Sequence, residues 1–443
     1  MTVSLPEASG SQPHLELLGR LSAAGALAGS SLDPLRHAAR ARYLALGLPP
    51  SNAEAWKYTP LAAWVKVPFE APTAFELPAA LRAALAEVGE GSALVFVNGR
   101  FSADLSRLDP QGEGVFAGGL NDAIRRGDEA VRDHLGRHAS YQEHLFAALN
   151  TALVEDGALV VLGPGAVASG PIHLIYLSTT SGAPTASQAR TLVVAEEGSR
   201  AAVVESFIGL GGACLTNAVT EVVVGRGARI DHLAIVREGD DAFHVGLVQG
   251  TVSADAHFAS TVLTLSGARV RRELSVLLAE QGASTRLNGL YLGAGDQHVD
   301  NHTFVDHAVP GCKSCENYRG IVGGHATAVF DGRVLVRREA QKSDASLTNK
   351  NLLLSDDATI DAKPMLEIFA DDVKASHGEA VGRLDPDSLF YLRSRGIGEE
   401  ESRELLTQAF ARDVLEGLEI PSFVEPLDRL VASALARVGG EEA

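Results

Sequence analysis

The chain has 443 residues, 46% of them hydrophobic and 21% charged, with a net charge of −18. This is the composition of a core-forming protein, and its acidity disfavours nucleic acid and anionic lipid as partners. Three cysteines (Cys214, Cys312, Cys315) make no disulfide framework, no apolar run reaches the ~18 residues of a membrane span, and the polar Met1–Pro13 lacks the marks of a secretory signal, so a cytoplasmic location is expected.

Residues 1–90 read as an N-terminal helical region. His14–Leu27 and Asp33–Leu48 carry apolar residues at three-and-four spacing, with Pro34 suited to a first helical turn. Leu77–Val88 repeats the pattern in alanine-rich form, and Trp56 and Trp64 between these segments are expected to anchor a core.

Residues 91–380 change character. Short β-branched runs recur from Ala93–Val97 through Thr261–Leu265, each closed by Gly, Asp or Asn. The one strong helical interruption spans about 120–153. More than fifteen short strands, at an irregular spacing near ten residues, exceed one ordinary sandwich. Two packed sandwiches and a β-solenoid both accommodate them, and no clean sequence repeat decides between the two.

Residues 381–443 are helical again. Asp385-Pro386-Asp387 is a helix-start signal, and Gly396 stops the first helix. A second runs from Glu399 to Leu418, with three glutamates in its first turn and an apolar stripe that includes Leu405, Leu406, Phe410 and Val414. Pro421 ends that region, and Leu427–Val438 makes the last helix. The stripe can serve as a docking surface or pack on its own domain.

No phosphate-binding glycine motif, GxSxG elbow or HExxH is present, so ATP chemistry would have to come from another protein. The densest polar stretch, Gln297–His325, holds His298, Asp300, His302, His307, Cys312 and Cys315. Cys312 and Cys315 have zinc-like spacing, but no second pair exists. On a strand, His307 would point away from His298, Asp300 and His302. No stable metal site is therefore expected. His377, alone in Val373–Gly378, reads first as a hydrogen-bonded structural residue.

Several blocks nevertheless resemble one known family. Asn351–Ser355, Pro364–Ile368, Ala370–Lys374, Ser376–Gly378 and Leu389–Ile397 closely resemble the C-terminal signature of the SufB/SufD family. Upstream, His298–Asp300, His307, Cys312, Ser314, Tyr318–Gly320, Val329–Gly332, Ala340–Gln341, Leu149–Gly157 and Glu54–Thr59 continue the resemblance. Ser355 and Gly378, where SufB-like chains carry Cys and Glu, favour the SufD branch, as does the length.

The resemblance implies a right-handed parallel β-helix core flanked by N- and C-terminal α-helical regions. It also implies a non-catalytic scaffold of SUF iron–sulfur cluster assembly. Such a chain pairs with SufB through the β-helix and binds the ATPase SufC through its C-terminal helices, where Leu405, Leu406, Phe410 and Val414 are the expected contacts. No cofactor would be stably bound; a transient cluster would form near the SufB–SufD interface, close to His377. Many SufD sequences carry cysteine where this chain has Ala375, which leaves Cys312 and Cys315 as candidate auxiliary thiols. Two alternatives compete. One is a self-contained iron or iron–sulfur protein, acting as a homodimer and using His377 with Cys312 and Cys315. The other is a β-solenoid enzyme acting on polysaccharide.

Overall fold

The computed structural model describes residues 13–22, 31–50, 52–61, 64–72, 92–107, 109–180, 182–209 and 211–439. The helix expected over Leu77–Val88 and the second half of His14–Leu27 lie outside them.

Fifteen strands, from β5 (Ile172–Ser178) to β19 (Lys374–Gly382), alternate between two sheets. Odd-numbered strands stack in one sheet in the order β19-β17-β15-β13-β11-β9-β7-β5, and even-numbered strands in the other in the order β18-β16-β14-β12-β10-β8-β6. Pairing along these stacks is parallel. Leu287 lies beside Glu316, Glu316 beside Leu347 and Leu347 beside His377, so one turn takes about thirty residues. The core is therefore a parallel β-helix, not a pair of sandwiches. Consecutive strands start about fifteen residues apart, rather than near ten, because many are longer than their apolar runs. β6, for example, spans Thr185–Ala195.

The two ends of the solenoid differ. At the N-terminal end β1 (Ala93–Val97) and β4 (Ala158–Leu162) receive antiparallel partners, β2 (Arg100–Phe101) and β3 (Val115–Gly119), which close the ladder. At the C-terminal end β18 (Thr359–Ile368) and β19 are the outermost strands of their sheets. Pro364, which has no N–H to donate, sits in β18, an edge strand, where proline is tolerated.

Inward residues fill the lumen with a continuous apolar core that includes Leu174, Val203, Val248, Leu287 and Phe330. Tyrosines and glycines interlock there. Gly289 lies beside Tyr318, and Gly320 beside Tyr291. A Cβ on Gly289 would fall 2.1 Å from the Tyr318 ring, and one on Gly320 would fall 2.3 Å from the Tyr291 ring. Gly289→Ala is expected to cost about 1–3 kcal/mol through overpacking, read as a lowered urea midpoint.

Helices cover the outer faces. α1 (Pro13–Leu21) and α2 (Asp33–Leu46) join α5 (Leu145–Leu153) on the even-numbered sheet, where Leu18, Tyr43, Trp64 and Leu149 meet Ala186, Leu215 and Val245. Two short helices, α3 (Leu120–Arg126) and α4 (Glu129–His134), complete the insertion. The odd-numbered sheet is covered by α7 (Glu399–Glu416) and α8 (Pro421–Gly439). α8 begins at Pro421 rather than after it. α6 (Pro386–Ser394) is capped as the sequence suggested: the Asp385 carboxylate accepts from the backbone N–H groups of Asp387 and Ser388.

Candidate functional site

His377 lies on β19 in the same register row as Leu347 and Glu316, which are buried in the lumen. Side chains alternate across a strand, so His377 sits on the lumen side of the last turn. Among the described residues no further strand stacks on it, and His377 is exposed. Ala375 lies on the same face two residues earlier. Opposite, Ile360, Ala362 and Leu366 of β18 are half-buried against the lumen core. At this open end Ile368, Phe369 and Val381 are exposed, Phe369 by 59%. A solenoid end normally needs a polar cap. This one presents an apolar floor, two free strand edges and a histidine.

The cysteines do not join His377. Cys312 is buried in the turn before β15 (Lys313–Val322); its thiol donates to the Glu280 carbonyl oxygen at 3.5 Å, and burial pushes its pKa up to about 11. Cys315 is exposed, on the face of its strand opposite Glu316, in a row with Ser346 and Ser376. It therefore points away from the lumen row that ends in His377. Cys214 is buried.

His298, Asp300 and His302 share the outer face of β14 (His298–His307), as the alternation required, and each bonds to protein groups around it. The Arg271 guanidinium donates to Asp300 at 2.5 Å, and His302 lies 2.8 Å from the same carboxylate. Burial alone would raise the Asp300 pKa; Arg271 and His302 hold it well below the usual carboxylate range. The Thr59 hydroxyl donates to Asp300 at 2.5 Å and lies 2.8 Å from His298 Nε2. Arg271 stacks 4.0 Å from the Trp56 ring centre, and Glu54 pairs with Lys363 of β18. Two blocks that resembled the family separately, Glu54–Thr59 and His298–Asp300, are thus one contact. It straps the N-terminal segment across the last turns of the solenoid.

The apolar stripe of α7 is divided. Val414 is fully buried, with Leu415 and Leu418, against Leu263, Leu290 and Ile321 on the outer face of the odd-numbered sheet. Phe410 is half-buried beneath the Arg319 guanidinium, 4.7 Å from its ring centre. Leu406 is half-buried and Leu405 is exposed. The expectation that Val414 is a docking contact is therefore corrected, while Leu405, Leu406 and Phe410 keep exposed or half-exposed surface. A helix with an apolar stripe beside a sheet of Leu and Ile residues buries that stripe at home. The outward aromatic pair, Phe390 and Tyr391 on α6, was missed; it lies inside the Leu389–Ile397 block, where the pattern LFYL was the available signal.

Residues 176–410 match the family model "SUF system FeS cluster assembly, SufBD core domain", and residues 25–174 match "SufBD protein N-terminal region". The chain is 31% identical to the Escherichia coli iron–sulfur cluster assembly protein SufD over 93% of each chain. It is 30% identical to the Synechocystis iron–sulfur cluster assembly SufBD family protein slr0076 over 87% of each, and 27% identical to Bacillus subtilis SufD over 69% of this chain and 70% of that one. The chain belongs to the SufBD family of SUF-system iron–sulfur cluster assembly proteins.

Proposed function

We propose that this chain is a SufD-type, non-catalytic scaffold of the cytoplasm. It pairs with a SufB-type β-helix through its open C-terminal end and engages a SufC-type ATPase through its C-terminal helices. The observation that carries this reading is the unsealed last turn: free edges on β18 and β19, with exposed apolar side chains around His377. A second parallel or antiparallel edge would satisfy the unpaired backbone groups and cover the apolar floor. His377 would then lie between the two chains, where an imidazole can hold iron or move a proton as a transient cluster forms. On α6 and α7, Phe390, Tyr391 and Leu405 are the exposed apolar candidates for the ATPase contact. The self-contained reading is disfavoured because Cys312, Cys315 and His377 do not converge.

The test is anaerobic co-expression with the SufB- and SufC-type proteins of the same organism. The tagged chain should elute with both, carrying iron and sulfide. His377→Ala should leave the complex assembled and lower its iron and sulfide at least severalfold. Iron and sulfide on the lone chain, with no partner retained, would overturn the proposal.

A further inference from the structure

The open end of the solenoid carries a second ionisable side chain beside His377. Alternate residues of β19 face the lumen side, and the register places Ala375, His377, Glu379 and Val381 there, against the buried Ala345, Leu347, Asn349 and Asn351 of β17 (Asp344–Leu353). The lumen-side positions of β18 (Ile360, Ala362, Pro364, Leu366 and Ile368) are all apolar. Glu379 is therefore the one carboxylate on the lumen face of either end strand. The row beneath it is polar: Asn349 Nδ2 donates to the Tyr291 hydroxyl at 3.1 Å, and that hydroxyl donates to Asn351 Oδ1 at 2.5 Å. Burial raises the Tyr291 pKa and the Glu379 charge adds to the rise, so the carboxylate overlooks this buried network. Among the described residues His377 and Glu379 have no hydrogen-bond or ion-pair partner, and both are exposed.

Two residues apart on one face of a strand, these side chains start about 7 Å from each other and can close on one ion from the same side. Imidazole and carboxylate together suit ferrous iron, and neither is a soft ligand. Charge argues for both donors rather than one. A second chain seated on this end takes any bound iron out of water, where a divalent cation is costly without a counter-charge. A neutral imidazole and an apolar floor supply none. Glu379 supplies it from this chain.

We propose that Glu379 is a second iron ligand at the open end: its carboxylate and the His377 imidazole take Fe(II) together, and the chain that seats on this end completes the coordination. Ala375, the other neighbour of His377 on that face, offers no donor. The inference rests on the scaffold reading and names a ligand that reading leaves unassigned.

The experiment is anaerobic titration with Fe(II) of the complex with the SufB- and SufC-type proteins, stripped beforehand of iron and sulfide. The parent chain is compared with His377→Ala, Glu379→Gln and Glu379→Asp. Glu379→Gln should retain both partners and bind Fe(II) at least about tenfold more weakly, the low end of what even an outer-shell group contributes to metal affinity. Glu379→Asp keeps the charge and should lose less. Equal Fe(II) affinity in the parent and Glu379→Gln, with His377→Ala weakened, overturns this inference and leaves the scaffold reading standing. Loss of a partner from Glu379→Gln also overturns it, since the residue would then be an interface contact and not a ligand. A parent chain that retains neither partner overturns the scaffold reading and this inference with it.

Discussion

Arg190→Met is expected to destabilise the protein by about 3–5 kcal/mol, the cost of leaving a buried carboxylate without its counter-charge. Arg190 on β6 and Glu221 on β8 (Cys214–Val224) form an ion pair with no solvent exposure on either side chain. Burial alone would raise the Glu221 pKa, but the guanidinium and three backbone N–H groups (Gly136, His138 and Ala139) hold it down. Arg190 also donates to Asn150 Oδ1 and Thr151 Oγ1 of α5. The pair therefore fastens the loop after α4, and α5 itself, to the even-numbered sheet. Chemical denaturation should show a lower midpoint with an unchanged slope. Adding Glu221→Gln removes the stranded charge while keeping an acceptor for the loop, so the double variant should recover roughly half of the loss. A double variant no more stable than Arg190→Met would show that the cost lies in lost packing and not in the unpaired charge.

This same pair explains part of what the sequence concealed. Thr185–Arg190 is the first half of β6, yet Ser187, Gln188 and Arg190 do not resemble a strand buried on both faces. On the outer face Gln188 and Arg190 bond to polar groups of α5 and β8 (Asn150, Thr151, Asn217 and Glu221), and Ser187 faces the lumen, so the run of β-branched residues begins only at Thr191. Thr216, bonded to Glu238 on the lumen side, and Asn217, bonded to Gln188 on the outer side, hide the start of β8. With half-strands missing, the spacing shortened toward ten residues and the thirty-residue turn disappeared. The solenoid repeat is also carried by register and not by identity: Glu316, Leu347 and His377 are successive members of one row and share no chemistry. The β core, the flanking helices and the α6 cap were legible because strand and helix periodicity and capping are local. The contact of Thr59 with Asp300 was not, since 241 residues separate them. His377 was singled out only through resemblance. Its exposure depends on β19 being the last strand of its sheet, which is a property of topology.

Glu316→Gln is expected to stabilise the protein, and only above acid pH. Glu316 faces the lumen of β15, 1% exposed, between Leu287 and Leu347 in its row, and neither carboxylate oxygen has a hydrogen-bond partner of good geometry. Burial raises its pKa to about 7, with the Thr303 hydroxyl as the one opposing influence. An acid whose folded pKa is raised favours the folded state fully below its unfolded value of 4.5 and loses that contribution as pH climbs to about 7. The loss approaches about 3 kcal/mol on the plateau. Glutamine keeps the shape and cannot ionise. Variant and parent should therefore be equally stable at pH 4, diverge between pH 4.5 and 7, and differ by a constant amount above that, as read from urea midpoints across the range. A gap that is independent of pH would mean that Glu316 is protonated throughout or paired in the folded chain. The residue lies two turns beneath His377 in the row, with Leu347 between them. Its neutral form therefore keeps the last turns of the lumen free of unpaired charge up to the floor on which the partner chain is proposed to sit.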